Sequence, residues 1–174
     1  METSRLILRK AKPGDENDLF EIRNSEYVLK YNCMKKLSLE ELREQLRKDM
    51  EEEDIFYIEL KQNNKVIGEI GLTPDSLRYG VNSLCVSYYL GEDYSSKGYM
   101  TEALEEIIRY VFEDKQADVL AVRLFKENTA SEKLVEKVGF VHEGCIRSCV
   151  KGYQDIVYHD MVYSILKEEY AARQ

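Results

Sequence analysis

A short polar loop joins a predicted strand to a predicted amphipathic helix near the middle of the chain. The strand, Ser83–Leu90, is rich in β-branched and aromatic residues. Because the first turn of a helix has free backbone N–H groups and the positive end of a macrodipole, this junction is a candidate site for a phosphate-bearing ligand. The helix is predicted from apolar residues at helical spacing, namely Ala103, Leu104, Ile107, Ile108, Val111 and Phe112.

The loop, residues 94–101, reads Tyr-Ser-Ser-Lys-Gly-Tyr-Met-Thr. It lacks the Gly-Lys-Ser/Thr ending of the nucleotide P-loop and the three spaced glycines of the dinucleotide fingerprint. Taken alone, it is also consistent with a plain connection in which Gly98 fills a tight turn.

A second unit of the same kind follows further along the chain. Residues 119–125 predict an apolar strand, and the segment after it predicts a short helix. Gly139 stands where a glycine commonly ends a helix, and Phe140 begins a new strand. The apolar face of this helix consists of Ala130, Leu134, Val135 and Val138.

These paired segments resemble the acetyl-CoA-binding core of the GNAT N-acetyltransferase superfamily. The run Asn-x-x-Ser…Glu-Lys-x-Gly-Phe-x-x-Glu-Gly-x-x-Arg, from Asn128 to Arg147, resembles the RimJ/RimL-like branch that acetylates the N-termini of ribosomal proteins. Spermidine acetyltransferases share much of this pattern. The resemblance extends from the Arg-Leu-Ile-Leu-Arg segment, residues 5–9, to the closing strand, residues 155–166.

The predicted fold is mixed α/β, in the order β-α-α-β-β-β-α-β-α-β-β, with helices covering a sheet. Pro13 is predicted to open the first helix, and Ser38 with Glu41 forms a capping box for the second. Residues 1–174 are predicted to be a single domain. In the GNAT fold, which has this order, the two central strands splay apart at a bulge.

The resemblance implies acetyl-CoA as the acetyl donor. Its pantetheine arm is expected to pair with the backbone of Tyr88, Tyr89 and Leu90, and its pyrophosphate with the loop before the long helix. Ser95 replaces the usual Gln or Arg of the family loop, and Met100, which could crowd the diphosphate or turn inward, replaces a small residue. The remaining predicted cofactor contacts are Ser96, Lys97, Gly98, Tyr99, Thr101, Asn128 and Ser131, and Asn128 is also a candidate N-cap of the short helix.

Two residues are predicted to be catalytic. Ser131 matches the serine that faces the thioester sulfur in the ribosomal-protein branch, whereas Val135 replaces a tyrosine that many relatives place nearby. Glu69 could deprotonate the amine directly or through water, unless it is only a solvated strand carboxylate. Tyr88 could polarise the carbonyl or belong to the core.

The resemblance places Arg147, Tyr153 and Asp155 on the acceptor side, where they could equally form a structural ion pair with a tyrosine beside it. The favoured acceptor is a protein N-terminal α-amine. A polyamine or aminoglycoside is the alternative, and a catalytically silent acyl-CoA-binding module is the second alternative. A homodimer is possible.

The net charge of -8 argues against nucleic-acid binding and suits a cationic acceptor. We expect a cytoplasmic protein that contacts no membrane, because no apolar run approaches the roughly eighteen residues of a membrane span. No metal site is predicted, since the four cysteines are scattered and only His142 and His159 could join them.

Overall fold

A computed structural model describes residues 1–173 and shows a seven-stranded mixed sheet covered by helices, as predicted. The strands are β1 (Leu6–Arg9), β2 (Ile55–Leu60), β3 (Val66–Pro74), β4 (Ser83–Leu90), β5 (Val119–Phe125), β6 (Val141–Lys151) and β7 (Val157–Leu166). The helices are α1 (Glu16–Asn24), α2 (Glu26–Leu29), α3 (Leu39–Asp49), α4 (Tyr99–Arg109), α5 (Thr129–Lys137) and α6 (Lys167–Ala171).

The short helices α2 and α6 were not anticipated from the sequence. The predicted start of the first helix at Pro13 was wrong, because α1 begins at Glu16 and Asp15 occupies its N-cap position. The predicted capping box of α3 is confirmed: the Glu41 backbone N–H donates to Ser38 Oγ at 3.2 Å, and the Ser38 N–H donates to the Glu41 carboxylate at 2.7 Å. No helix among residues 1–173 is long and apolar enough to cross a membrane.

The strand order is β1-β2-β3-β4-β5-β7-β6, and β4 with β5 is the parallel pair at its centre. Parallel pairing joins Ser83–Val86 to residues 119–122 and then stops. Beyond that point β4 remains paired with β3 as far as Leu90, and β5 remains paired with β7 as far as Phe125. The two strands therefore diverge into an open fork, which we define as residues 87–90 of β4 and 123–125 of β5.

The two faces of the sheet carry separate apolar cores. On one side, here called the α4 face, Ile70 and Val86 pack with Met100, Leu104 and Ile107 of α4. On the other side, here called the α3 face, Tyr57 and Tyr89 pack with residues of α1 and α3, namely Leu19, Leu42 and Leu46. Side chains of one strand alternate between these faces, so neighbouring residues at the fork point to opposite sides.

Gly68 lets β3 and β4 approach closely next to the fork. A Cβ atom at this position would lie 2.3 Å from the Tyr89 carbonyl oxygen, and a backbone atom cannot move aside cheaply.

Gly68→Ala is therefore expected to lower the free energy of unfolding by about 2 to 4 kcal/mol, as measured by denaturant titration. The matched control is Gly144→Ala, where a Cβ meets nothing within 4 Å and a change under about 0.5 kcal/mol is expected. Equal losses in the two variants would contradict this account.

Candidate active site

The fork exposes peptide groups that the sheet does not use. Each residue of an antiparallel strand directs its hydrogen-bonding groups alternately to its two neighbours, and Ser87–Leu90 has a neighbour only in β3. The groups directed towards β5 are therefore available to water or to a ligand amide. Ser87 is exposed although β4 is the central strand, so the fork is open to solvent.

The loop before α4 lies on the α4 face and presents its backbone to solvent. Ser96 and Gly98 have left-handed backbone conformations, with φ of 57° and 79°, and Gly98 is the N-cap residue of α4. Ser96, Lys97 and Gly98 are exposed, whereas Thr101 is half-buried in the first helical turn. The first N–H groups of α4 are thus directed into open space, as an anion site requires.

Met100 does not crowd this loop. Its side chain is only 7% exposed and packs into the core of the α4 face. Of the two conformations considered for it, the structure shows the inward one, so the space in front of the first helical turn is open.

Arg5 braces the loop from the N-terminal segment, a contact that sequence reasoning missed. Its Nη1 donates to the Lys97 carbonyl oxygen at 3.0 Å, and its Nε donates to Glu102 Oε2 at 2.6 Å. The guanidinium also lies 4.5 Å from the centre of the Tyr99 ring. Glu102 is fixed in turn by the hydroxyl of Thr3, which donates to it at 2.5 Å. Arg5 therefore fixes the orientation of one loop peptide and brings a positive charge beside it.

Ser131 lies beside the fork on the α4 face. Asn128 caps α5, because its side-chain oxygen accepts a hydrogen bond from the Ser131 backbone N–H at 3.3 Å. Ser131 is 8% exposed, and its Oγ lies 2.5 Å from the Tyr88 hydroxyl. Burial raises the pKa of Tyr88 to about 12, although the bond to Ser131 opposes the rise. The phenol is therefore protonated at neutral pH and can donate.

Val135 is fully buried in the core and carries no polar group to the fork. The phenol that many relatives place at this helical position is absent, but Tyr88 brings a phenol next to Ser131 from strand β4. Neighbouring hydroxyls of Tyr88 and Ser131 could not be inferred from either segment alone, because they are separated by 43 residues in the sequence.

Glu69 lies on the α3 face, in a row of cross-strand partners formed by Tyr57, Glu69 and Tyr89. The Tyr89 hydroxyl donates to Glu69 Oε2 at 3.0 Å, and the Tyr57 hydroxyl donates to Asp49 at 2.6 Å. Burial raises the pKa of Glu69 to about 6, against the lowering effect of the Tyr89 hydrogen bond. Glu69 is half-buried, so it is not the freely solvated carboxylate that was the alternative.

The two predicted catalytic residues therefore lie on opposite sides of the sheet, with the fork between them. Ser131 and Tyr88 face the α4 side, where the anion loop is located, whereas Glu69 and Tyr89 face the α3 side. A thioester held in the fork could thus meet hydroxyl donors on one side and a carboxylate base on the other.

The predicted acceptor residues do not form one cluster. Arg147 is exposed and has no ion-pair partner among residues 1–173, so the suggested ion pair with Asp155 is wrong. Asp155 instead pairs with Lys151 at 3.5 Å, and the Tyr153 hydroxyl donates to Glu26 at 3.2 Å. The reason is backbone geometry: the β6 register shifts between Ile146 and Val150, and Asp155 itself has φ of 61°.

Neither histidine is placed as a base. His142 is exposed and its ring lies 5.0 Å from that of Tyr163, on the far side of β7 from the fork. His159 Nδ1 accepts a hydrogen bond from the Ser148 backbone N–H at 2.7 Å, which occupies one of its two ring nitrogens.

Comparison with known proteins identifies the family. Residues 5–141 match the family model described as the acetyltransferase (GNAT) domain. The chain is 30% identical to the N-acetyltransferase p20 of Bacillus licheniformis and 24% identical to the N-acetyltransferase YnaD of Bacillus subtilis, in each case over 97% of both chains.

Solved structures have the same fold. A GNAT-family acetyltransferase from Bacillus anthracis has a TM-score of 0.87 at 25% identity, covering 97% of this chain and 99% of its own. The ribosomal-protein-S5-alanine acetyltransferase of Vibrio fischeri has a TM-score of 0.84 at 19% identity, covering 98% and 97%. The spermidine N-acetyltransferase of Vibrio cholerae, solved with CoA and spermine, has a TM-score of 0.81 at 22% identity, covering 97% and 99%.

The extent of the family match, the seven-stranded sheet and the open fork lead to one conclusion. The chain belongs to the GNAT acetyltransferase family, and it is an N-acetyltransferase whose acetyl donor is acetyl-CoA.

Proposed function

We propose that this enzyme transfers the acetyl group directly from acetyl-CoA to the α-amine at a protein N-terminus, such as that of a ribosomal protein. The observation that carries the proposal is the placement of Glu69 and Ser131 on opposite sides of the open fork. In a direct transfer the amine and the leaving thiol are on different sides of the reacting carbon. Each therefore needs its own group for proton transfer or hydrogen bonding.

Acetyl-CoA supplies the activated acetyl group as a thioester. The residues proposed to hold it are the backbone of Tyr88–Leu90 in the fork, the loop of residues 95–98 and the first turn of α4, residues 99–101. The loop and the open fork fit a ligand with a diphosphate and amide groups, because the one contains free N–H donors and the other unpaired peptide groups. Asn128 and Ser131 line the fork at the start of α5.

The residues around the fork have distinct roles in the proposed reaction. Glu69 accepts the proton that the amine must lose, because its raised pKa is still below neutrality. Unpaired backbone N–H groups of the fork are available to stabilise the developing oxyanion. The hydroxyls of Ser131 and Tyr88 are hydrogen-bonded to each other, so one donates to its partner and the other remains free to donate towards the departing sulfur.

Acetylation of a small cationic amine is the alternative function. The net charge of -8 favours it, as does the similarity in fold to a spermidine N-acetyltransferase. The second alternative, a catalytically silent module, is not retained, because the chain is an N-acetyltransferase by family and Met100 packs into the core instead of crowding the loop.

A single domain over residues 1–174, a cytoplasmic location and a possible homodimer remain parts of the proposal. The edge strand β6 favours self-association, because it carries a largely exposed row of side chains at the end of the sheet.

The choice of acceptor is tested by release of free thiol from acetyl-CoA with a panel of peptides, spermidine and kanamycin. Turnover with peptide α-amines, and none with the two small amines, is the expected result. Turnover with spermidine but not with peptides would overturn the proposed acceptor. Calorimetry with acetyl-CoA on the same preparation shows whether the donor site is intact, so that an inactive sample is recognised.

Arg5→Ala is expected to raise the Kd for CoA about tenfold, which corresponds to about 1.4 kcal/mol. The reason is that the loop peptide of Lys97 loses its anchor and the site loses a positive charge. Calorimetry with CoA and with S-acetyl-pantetheine, which lacks the diphosphate, measures the effect. Only CoA binding should weaken.

The control for this experiment is Arg43→Ala, which removes the ion pair between Arg43 of the distant helix α3 and Glu16 of α1. It should leave both affinities unchanged. An equal loss of CoA and S-acetyl-pantetheine affinity in Arg5→Ala would show general disruption of the fold and would refute a role at the diphosphate.

Glu69→Gln is expected to lower kcat about 100-fold or more. In the unmodified enzyme, kcat should fall as the pH drops through about 6, because the base acts only when ionised and its pKa is raised from about 4.5. The variant should lose this acidic limb. The control Glu105→Gln, at an exposed position of α4, should keep the same kcat and the same fall of kcat at acidic pH. An unchanged pH profile in Glu69→Gln would assign the base elsewhere.

A further inference from the structure

The α3 face of the fork has an open floor. Val86 and Val122 belong to the core of the α4 face, so the next residues, Ser87 and Arg123, alternate onto the α3 face. Ser87 is exposed, and Gly71 beside it on β3 offers no side chain that could cover it. The floor therefore lies between the candidate base Glu69 on one side and Arg123 on the other.

Arg123 is the cationic side chain of this floor. Its Nε and Nη2 both donate to Asp160 Oδ2, at 2.8 and 2.6 Å. Nη2 also lies 4.0 Å from Cys149 Sγ. No acceptor among residues 1–173 forms a hydrogen bond with Nη1, and the side chain is 30% exposed. Asp160 is 4% exposed, so Arg123 is held rigidly with one nitrogen free.

Two segments lie close to Arg123, namely the one that follows α2 and the bulge of β6. The Cys33 thiol, in the segment after α2, lies near Asp160, Arg123 and Cys149; burial raises the pKa of this thiol and the charges around it modify the rise. The segment is anchored to the sheet, since the Tyr153 backbone N–H donates to the Asn32 carbonyl oxygen at 3.1 Å. The segment after α2 and the bulge of β6 therefore both lie next to Arg123.

These two segments are rich in basic residues, although the chain as a whole is acidic. Residues 30–36 contain Lys30, Lys35 and Lys36, and the end of β6 contributes Arg147 and Lys151. Carboxylates pair with Lys36 and Lys151, at 3.1 and 3.5 Å. Within residues 1–173, no ion pair is formed by Lys30, Lys35 or Arg147.

We propose that the acceptor carries a carboxylate close to its amine, and that Arg123 binds this carboxylate through Nη1. The acceptor class is then a peptide whose first residues include an acidic side chain. This inference rests on the proposed function, because it assumes a peptide α-amine in the same site. Arg123 acts in specificity, while Glu69 acts on the amine.

The chemistry of Arg123 separates this class from the polyamines. A guanidinium with a free N–H forms a charge-assisted hydrogen bond with a carboxylate, whereas it repels a second ammonium group. Rigid attachment to Asp160 limits the entropy lost when the ligand binds. A spermidine chain would have to bring an additional ammonium group towards the Arg123 guanidinium.

The first test uses the unmodified enzyme and changes only the substrate. The tripeptide amides Ala-Glu-Ala, Ala-Gln-Ala and Ala-Lys-Ala differ at one side chain, and Glu and Gln are nearly equal in shape. We expect kcat/KM for the Glu peptide to exceed that for the Gln peptide at least tenfold, with the Lys peptide lower still. Ala-Ala with a free C-terminal carboxylate, compared with its amide, shows whether a main-chain carboxylate serves equally.

The second test changes Arg123. Arg123→Gln should reduce the Glu-to-Gln ratio to about one, and Arg123→Lys, which can keep a bond to Asp160, should give an intermediate ratio. Arg78→Gln is the matched control, because Arg78 forms a comparable ion pair with the buried Asp75 at 2.5 Å and lies away from the fork. Calorimetric binding of the acetylated product Ac-Ala-Glu-Ala-amide gives a readout that does not depend on turnover.

The outcomes separate this inference from the proposed function. Equal kcat/KM for the Glu and Gln peptides in the unmodified enzyme would overturn the role of Arg123 and leave peptide acetylation standing. Turnover of spermidine alone would overturn both. A Glu preference that survives in Arg123→Gln would assign carboxylate binding to another residue and would also refute the proposal.

Discussion

The candidate active site depends on the parallel pairing of β4 and β5, which ends before either strand does. β4 and β5 share only the register from Ser83 to Val86, and each then follows its outer neighbour instead. Phe125 is kept with the outer strand by stacking on Tyr158, with the ring centres 4.4 Å apart. The sheet is continuous on both sides of the fork, so the unpaired peptide groups are confined to the two inner edges. A ligand with amide groups can satisfy them without any rearrangement of the fold.

The fork also makes an opening through the sheet, and this divides the chemistry between two faces. Burial raises the pKa of both groups, that of Glu69 to about 6 and that of Tyr88 to about 12, and the intrinsic difference between a carboxyl and a phenol keeps them on opposite sides of neutrality. At neutral pH one side therefore presents a base and the other a donor. Pairs of titratable groups separated in this way are suited to acid and base roles in one reaction.

The sequence predicted those features that depend on residues close together in the chain. Alternation, helical spacing and capping residues were sufficient for the seven strands, the N-cap at Asn128 and the capping box at Ser38. Contacts between distant segments were not predictable from these patterns. Arg5 meets Glu102 across 97 residues, and no local period connects the two. The predicted ion pair between Arg147 and Asp155 is not formed. A register shift in β6 and the left-handed backbone of Asp155 change the directions that the two side chains would have in a regular hairpin.

The net charge of the chain differs in its effect from the charges within the proposed acceptor site. A net charge of -8 acts at long range and favours the approach of a cation. Screening limits such fields to roughly 8 Å at physiological salt, so selection at the reacting carbon depends on the groups that touch the acceptor. In the proposed acceptor site on the α3 face, those groups are the Glu69 carboxylate and the free nitrogen of Arg123, which suit an amine and a carboxylate on one molecule. Overall acidity and an anion-binding acceptor site are therefore compatible, because the first governs encounter and the second governs contact.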